Sequence, residues 1–292
     1  MNSKKRPSNV ATARLLSLAL ALTANAGSIT IIASRDNTLY DDSTGSVSNG
    51  AGEHFFAGRT AAGGVRRGLI QFDLAGSALP PHAVITDARV ELHVSRTVIG
   101  PAPFGLHRLL ADWGEGASNA GSRGGAGAAT QNGDATWLHR RFPGFFWTAA
   151  GGDFVPNASA TTLVDGVGPY VWDTTPTLLS DVRFWLENPA LNHGWCVIGD
   201  EADASAKRFD TRENIDPAVR PRLVLEFVVP PVCPGDQNSD GLITPDDFPS
   251  AAVCISAPDL NAPSPCLCSD FDNDADVDLR DLAVLQRAVA IE

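Results

Sequence analysis

The sequence has little charge, few aromatic residues and no long apolar run. Charged residues make up 19% and aromatic residues 7% of its 292 positions. Glycine and proline are frequent, with 27 and 20 residues. This composition excludes a coiled coil, a collagen-like chain and wholesale disorder. The longest apolar stretch, 15–24, is half of what a bilayer-spanning helix needs, so the sequence predicts no membrane span.

Basic residues are scarce near the C-terminus. The formal net charge is −12, and residues 233–292 hold −10 of it, with two basic against 12 acidic residues. Binding to a phosphate backbone requires a basic patch. The charge distribution therefore argues against a nucleic-acid partner and favours cation binding in the acidic segment.

The common catalytic signatures are also missing. The chain has no GxSxG, HExxH, P-loop or dinucleotide-binding motif. The carboxylates of 112–115 (DWGE) and 200–203 (DEAD), with His107, His139 and His193, would supply the acid or base of a glycosidase or lyase. Their spacing in the sequence does not indicate that any two of them lie close together. The sequence therefore argues against an enzyme, and we assign no catalytic residue.

The first 26 residues have the features of an export signal. Lys4, Lys5 and Arg6 precede the apolar stretch 15–24, and Ala-Asn-Ala at 24–26 forms a small-residue cleavage site. The sequence therefore predicts a secreted protein whose mature chain works in an oxidising compartment.

Four of the five cysteines, Cys233, Cys254, Cys266 and Cys268, lie in the last part of the chain. In an exported protein they indicate one or two disulfides, and three full pairings remain open. Zinc is the weaker alternative, because a single residue separates Cys266 from Cys268 and no histidine follows. The remaining cysteine, Cys196, is expected to be a buried apolar side chain in a strand.

Between residues 27 and 229, short apolar runs alternate with turn-forming residues. In one of them Val90, Leu92 and Val94 alternate with Glu91 and His93, the period of a half-buried strand. Such runs favour an antiparallel β-sandwich. The predicted strands are 28–33, 67–74, 84–94, 104–110, 161–165, 170–173, 195–199 and 223–229.

One helix and one long loop interrupt this pattern. Thr175 can cap a helix in which Pro176 occupies the first turn and apolar residues recur at helical spacing as far as Asn188. We expect this helix to cover an open end or edge of the sandwich. The stretch 114–133 has almost no apolar bulk and predicts a long surface loop.

A short Pro-rich connector, 230–232, joins the sandwich (27–229) to a second module, 233–292. This module opens on a twelve-residue pattern typical of a calcium loop, with a turn-forming glycine at position 6. The ligands at positions 1, 3, 5, 7 and 12 would be Asp236, Asn238, Asp240, Leu242 (through its carbonyl) and Asp247.

The pattern repeats 34 residues later. Equivalent ligands are Asp270, Asp272, Asp274, Asp276 (through its carbonyl) and Asp281. So many carboxylates in one turn are costly unless a divalent cation neutralises them, so the sequence predicts two Ca²⁺ sites. Ala275 replaces glycine at position 6, where a positive φ costs about 1–2 kcal/mol, so we expect the second site to be weaker.

The opening CPGDQNSDG and the closing FDNDADVDLRDLAVLQ of this module resemble the type I dockerin family. The resemblance implies a small α-helical, calcium-folded module that docks onto a cohesin-like or other surface protein and tethers its cargo. Many dockerins carry a Ser/Thr pair at loop positions 10 and 11, where this chain has Pro245-Asp246 and Leu279-Arg280.

The larger module resembles the DNRLRE domain family. The resemblance rests on 36–41 (DNTLYD), 66–74 (RRGLIQFDL), 84–88 (VITDA) and 220–227 (RPRLVLEF). It implies a carbohydrate-binding jelly roll, alginate-binding in some members, found beside polysaccharide-degrading modules.

Aromatic rings and arginines are the candidate glycan-binding residues of this module. Trp113, Trp137 and Trp147 lie in turn-rich segments, where an exposed indole offers a flat face to a sugar, with packing in the core as the alternative. Arg66, Arg67, Arg140 and Arg141 would pair with uronate carboxylates. Trp172, Trp185 and Trp195 are expected in the core.

Together these features predict a secreted, non-catalytic protein that binds a polysaccharide, acidic or neutral, and is tethered through its calcium module. A polysaccharide lyase or glycoside hydrolase is one alternative. A structural or adhesive scaffold of the cell surface is the other.

Overall fold

The computed structural model describes residues 25–80, 83–121, 124–229, 244–248, 254–255, 266, 269–271 and 276–289. The chain divides into two compact units, of which the first is Asn25–Val229 and the second contains the described residues that follow. None of the helices in these described ranges is both long and apolar enough to cross a membrane.

The first unit is mainly β, which confirms the predicted class. All eight strands expected from the apolar runs are present, together with shorter ones that the sequence did not reveal. The strands are β1 Asn25–Tyr40, β2 Val47–Ser48, β3 His54–Arg59, β4 Val65–Phe72, β5 Val84–Thr97, β6 Ala102–Arg108, β7 Ala128–Ala129, β8 His139–Arg141, β9 Phe145–Phe146, β10 Ala160–Val164, β11 Gly168–Trp172, β12 Trp195–Ile198, β13 Lys207–Asp210 and β14 Arg222–Val229.

Ten of these strands form one antiparallel sheet that closes on itself in a sandwich-like arrangement. The order is β1-β14-β5-β13-β3-β4-β12-β6-β10, with β11 paired to β5 and an additional pairing of β1 with β4. Strand β1 belongs to both halves, because its residues up to Ile32 pair with β14 and those from Ala33 onward pair with β4. A register shift between Ala33 and Arg35 marks the bend.

Apolar side chains from both halves of the sheet meet in the core. Val90, Leu92 and Val94 of β5 are buried, as the alternating pattern predicts. Trp172, Trp185 and Trp195 are buried in the same cluster, also as predicted. Cys196 lies fully buried in β12, in agreement with the expectation for this residue.

Helix α1, Pro176–Glu187, forms at the predicted position. The Thr175 side chain accepts a hydrogen bond from the Leu178 N–H at 3.0 Å, and Asn188 ends the helix. Leu178, Val182 and Trp185 form its buried face and pack into the core. The helix therefore covers part of the sandwich core.

One carboxylate, Asp181, lies on the buried face of α1. Its Oδ2 accepts hydrogen bonds from the Ser159 hydroxyl at 2.5 Å and from the Trp195 Nε1 at 3.0 Å. Its Oδ1 lies 3.1 Å from the Arg108 Nε. Asp181 thus joins the helix to β6, to β12 and to the segment before β10.

Strands β3 and β13 are the longest elements that the sequence did not predict. Both are short, and in β13 (KRFD) only Phe209 and the stem of Lys207 are apolar, too little for a recognisable period of two.

The predicted long loop 114–133 is largely irregular, as expected, although β7 within it pairs with β2. Strand β1 begins at Asn25, within the last two residues of the predicted export signal, and residues 1–24 lie outside the described residues.

In the second unit the described residues form a 3-10 turn, Pro245–Asp247, and helix α2, Leu279–Val289. A disulfide joins Cys254 to Cys266. Cys233 and Cys268 lie outside the described residues.

Candidate functional site

Four of the ten predicted calcium ligands lie among the described residues. Asp247, Asp270, Asp276 and Asp281 are all buried, although aspartate is usually exposed. The other six, Asp236, Asn238, Asp240, Leu242, Asp272 and Asp274, lie outside the described residues.

The two loops place their closing carboxylates in the same way. Asp247, at position 12 of the first loop, accepts a hydrogen bond through Oδ2 from the Thr244 N–H at 2.8 Å. Asp281, at position 12 of the second, accepts one through Oδ2 from the Asp278 N–H, also at 2.8 Å. Because Thr244 and Asp278 both occupy position 9, the sequence repeat is also a repeat in local structure.

The second loop brings three carboxylates to one point. Asp276, Asp278 and Asp281 each have a side-chain oxygen within 4.8 Å of the others. Ca²⁺ binds oxygens at 2.3–2.6 Å, so two ligands on opposite sides of the ion lie about 5 Å apart. The three oxygens therefore fit one coordination sphere. Asp281 also accepts the Phe271 N–H through Oδ1 at 2.6 Å, which connects the end of the loop to its beginning.

The first unit carries a groove of about 240 Å³ on the outer face of β3, β13 and β5. Five of its fifteen lining residues are cationic, and no aspartate or glutamate belongs to the lining in the part of the chain that the structure describes. Residues 27–232 as a whole carry more acidic than basic residues, 22 against 16, so the groove differs in charge from the rest of the unit. The residues with the largest side chains in the groove are Phe56, Arg59, Arg66, Arg96, Lys207 and Arg208.

Three of these side chains form a row across the strands. Arg208 in β13 is paired with Phe56 in β3 on one side and with Arg96 in β5 on the other. Phe55 and Phe209, the neighbours of Phe56 and Arg208, are buried, so the row lies on the outer face. A register shift between Arg208 and Phe209 allows Arg96 to face outward as well.

In this row two positive charges, on Arg208 and Arg96, face each other across the strands. Directly facing cations destabilise an antiparallel pair unless an anion lies between them. Burial lowers the pKa of Arg208, and Arg96 adds to the effect, although Asp210 counteracts it. Arg208 donates from Nε to the Ser95 hydroxyl at 3.0 Å. Arg96 is exposed and makes no hydrogen bond or ion pair with the described residues, so its guanidinium is available to a ligand.

Lys207 shapes the groove without being available to a ligand. Its ammonium is fully buried and donates to the Thr97 hydroxyl, the Ile99 and Gly100 carbonyls, each at 2.8 Å, and the Asp165 carbonyl at 2.9 Å. These contacts use all its donors and fix the loop after β5 as one rim of the groove.

Arg66, a predicted sugar ligand, is in the groove. Its guanidinium lies over the Tyr40 ring at 4.8 Å, and its buried Nε has no hydrogen-bond partner among the described residues. Arg59 donates to the Glu201 carbonyl at 3.1 Å. The sequence offered Arg66 as a candidate but did not reveal Arg59, Arg96 or Arg208. Arg59 and Arg208 lie in β3 and β13, which were not recognised as strands, and Arg96 lies in β5 beyond the end predicted for that strand.

Two of the three tryptophans proposed as sugar platforms, Trp113 and Trp147, are packed in the core instead, which corrects the sequence-based expectation for them. Trp113 is 0% and Trp147 is 5% exposed, and each indole donates to a backbone carbonyl, of His193 and Thr136 respectively, at 2.9 Å. Neither ring has a face open to solvent. Trp137 is half-buried, and the guanidinium of Arg67 lies over it at 4.9 Å.

Two of the remaining arginine candidates are paired with carboxylates, whereas Arg140 donates to the Asp112 backbone carbonyl at 3.2 Å and lies over the Phe145 ring at 5.1 Å. Arg67 binds both oxygens of Glu201, at 2.7 and 2.8 Å. Arg141 binds Asp112, which also accepts from Arg35 at 3.1 Å. The same contacts occupy two of the carboxylates considered for acid–base chemistry, so they serve structure at these positions.

No protein-family model matches this chain, and no curated protein matches it. The functional conclusion therefore depends on the residues and their geometry.

Proposed function

We propose that this is a secreted, non-catalytic protein that binds an anionic polysaccharide in the groove of its β unit. A calcium-dependent, dockerin-like second unit tethers it to a cohesin-like or other surface protein. The observation that carries the proposal is the row formed by Phe56, Arg208 and Arg96.

The chemistry of this row suits an acidic sugar chain. A guanidinium pairs with a carboxylate through two parallel hydrogen bonds, and an aromatic ring packs against the apolar face of a sugar. Neighbouring strands lie about 4.8 Å apart, a spacing comparable to the length of one sugar unit. A polyuronate crossing the strands would therefore place successive carboxylates at Arg208 and Arg96.

The charge of the β unit supports selective binding in this groove. Residues 27–232 carry 16 basic and 22 acidic residues, a net negative charge that disfavours polyanions elsewhere, so the cationic groove is the favoured place for an anionic chain. Neutral glucans would gain only the contact with Phe56. The proposed ligand is therefore a uronate-containing polymer.

Binding of alginate and of a neutral glucan to the full chain, at constant calcium, tests the proposal. Arg96→Gln and Arg208→Gln should each weaken alginate binding by about 10- to 100-fold, the value of one charge-assisted pair. Arg89→Gln is the matched control, because Arg89 is in β5 but is neutralised by Glu91 and Glu226. It should bind like the wild type.

The outcomes separate the alternatives. Equal affinity of all variants would refute the groove as the binding site. Release of unsaturated or reducing ends would show a lyase or hydrolase, and no affinity for any glycan would favour the scaffold alternative.

The tethering unit is tested by its metal content. Asp247→Asn and Asp281→Asn together should remove two equivalents of bound calcium from the full chain and lower the helical signal in far-ultraviolet circular dichroism. An unchanged calcium content would refute the two predicted sites.

A further inference from the structure

A third group of acidic side chains lies in the β unit, away from the groove. Asp36 in β1, Glu115 in the loop after β6 and Glu213 after β13 each have a carboxylate oxygen within 4.8 Å of the others. These residues are up to 177 positions apart in the sequence (213 − 36), so the fold alone brings them together.

Two oxygens of this cluster are buried without a partner. Asp36 is 0% exposed, and its Oδ2 accepts the Arg212 N–H at 2.8 Å, but its Oδ1 has no partner among the described residues. The Glu213 Oε2 is also buried and has no hydrogen-bond partner among the described residues. A carboxylate oxygen that loses its hydration on burial and gains no hydrogen bond is energetically costly. Both atoms therefore indicate a site for a ligand.

The charges of the cluster are not balanced. Arg212 binds both oxygens of Glu115, at 2.8 and 2.6 Å, and its Nε lies 2.9 Å from the Glu213 Oε1. Three ionised carboxylates and one guanidinium give the cluster a net charge of −2, which a divalent cation would neutralise. Burial raises the pKa of Asp36 and of Glu213, and repulsion between neighbouring carboxylates adds to both shifts.

The surrounding structure fixes the positions of the carboxylates. The Glu115 carbonyl accepts a hydrogen bond from the Asn37 Nδ2 at 2.8 Å, and its Oε1 accepts the Asp36 N–H at 2.9 Å. Gly50 packs so closely that a Cβ atom there would lie 1.7 Å from the Glu115 carbonyl oxygen. A preformed site of this kind loses little entropy when it binds an ion.

We propose that Asp36, Glu115 and Glu213 bind a calcium ion, with the Asp36 Oδ1 and the Glu213 Oε2 as its principal ligands. The described cluster contains only oxygen donors, which suits Ca²⁺ and disfavours Zn²⁺. The three oxygens lie within 4.8 Å of one another, close enough to share one Ca²⁺ ion, whose flexible coordination accepts such a set more readily than the strict octahedron of Mg²⁺ does. The ion would join β1 to the segments that follow β6 and β13, and so stabilise the β unit.

The distribution of tryptophan makes the test selective. All six tryptophans lie between residues 113 and 195, so tryptophan fluorescence in the full chain reports unfolding of the β unit and not of the second unit. Thermal unfolding is followed in EDTA and in calcium chloride. The wild-type midpoint should rise by about 5 °C or more at saturating calcium.

Asp36→Asn and Glu213→Gln should remove this rise and one equivalent of bound calcium. In EDTA, Asp36→Asn should unfold at a higher temperature than the wild type, because it removes a buried negative charge. Glu187→Gln, which changes an exposed carboxylate of α1, should behave like the wild type. Asp247→Asn with Asp281→Asn should keep the full rise.

The proposal is overturned if calcium leaves the wild-type midpoint unchanged, or if Glu213→Gln retains the rise. It is also overturned if the rise disappears in the Asp247→Asn and Asp281→Asn variant, because the effect would then come from the second unit. Glu213 is partly exposed, so this variant keeps the test valid if Asp36→Asn does not fold.

Discussion

Replacing Asp181 by alanine should detach helix α1 from the sheet. The change leaves the buried Trp195 Nε1 and the Ser159 hydroxyl without their acceptor, and each loss costs about 1–3 kcal/mol. The Arg108 side chain is 30% exposed and can reach water, so it adds little. We therefore expect the free energy of unfolding to fall by about 3 kcal/mol. For a unit of this size, that is roughly 6–12 °C in the melting temperature.

Urea unfolding followed by tryptophan fluorescence measures this loss directly. The Trp185 and Trp195 rings, 4.5 Å apart, lie at the affected contact and report it locally. Asp173→Ala, at an exposed aspartate just before the helix, is the control and should change stability by less than about 0.5 kcal/mol. If Asp181→Ala is within about 1 kcal/mol of the wild type, the buried carboxylate does not fix the helix and the reasoning fails.

Three further predictions concern buried groups. Burial raises the pKa of Asp181 above its ordinary 3.8, so the folded protein binds a proton there more readily than the unfolded chain. As pH rises from about 4 through the raised pKa, the urea midpoint of the wild type should therefore fall relative to that of Asp181→Asn. Gly50→Ala forces a Cβ against the Glu115 carbonyl and should lower the melting temperature, whereas Gly144→Ala, with open space around it, should not. Burial raises the pKa of the Cys196 thiol to about 12, so this thiol should not react with iodoacetamide in the native protein. Peptide mapping should find it unmodified in the native protein and modified in urea. Labelling of the native protein would contradict its burial.

Local patterns in the sequence predicted the elements that depend on local interactions. Helix α1 was recognised from its cap at Thr175 and the spacing of its apolar residues. The twelve-residue pattern at 236–247 and 270–281 anticipated the matching contacts of Asp247 with Thr244 and of Asp281 with Asp278. The central strand β5 was recognised because Val90, Leu92 and Val94 alternate with polar residues over a long run. In each case the information lies within a few residues of the element.

The groove and the Asp36 cluster depend on contacts that no local pattern contains. Arg96 and Arg208 face each other only because β5 pairs with β13, across 112 positions (208 − 96). Four residues of β13 are too few to show a period, so neither the strand nor its partner was predicted. The burial of Trp113 was missed for a related reason: its segment is rich in turns, yet Arg35 lies over its ring and distant apolar residues pack in the same cluster.

The pairing of β14 has a mechanical consequence for a tethered protein. Strand β14 lies between β1 and β5 and is hydrogen-bonded to both along most of its length, from Arg222 to Val228. A pull on Val229 along the strand therefore loads two ladders in shear at once, and many hydrogen bonds must break together. A pull between Asn25 and Val229, which face each other at the same end, would instead open the β1–β14 ladder one pair at a time. The β unit should resist force transmitted from its C-terminal end to the groove far better than force that separates its two ends.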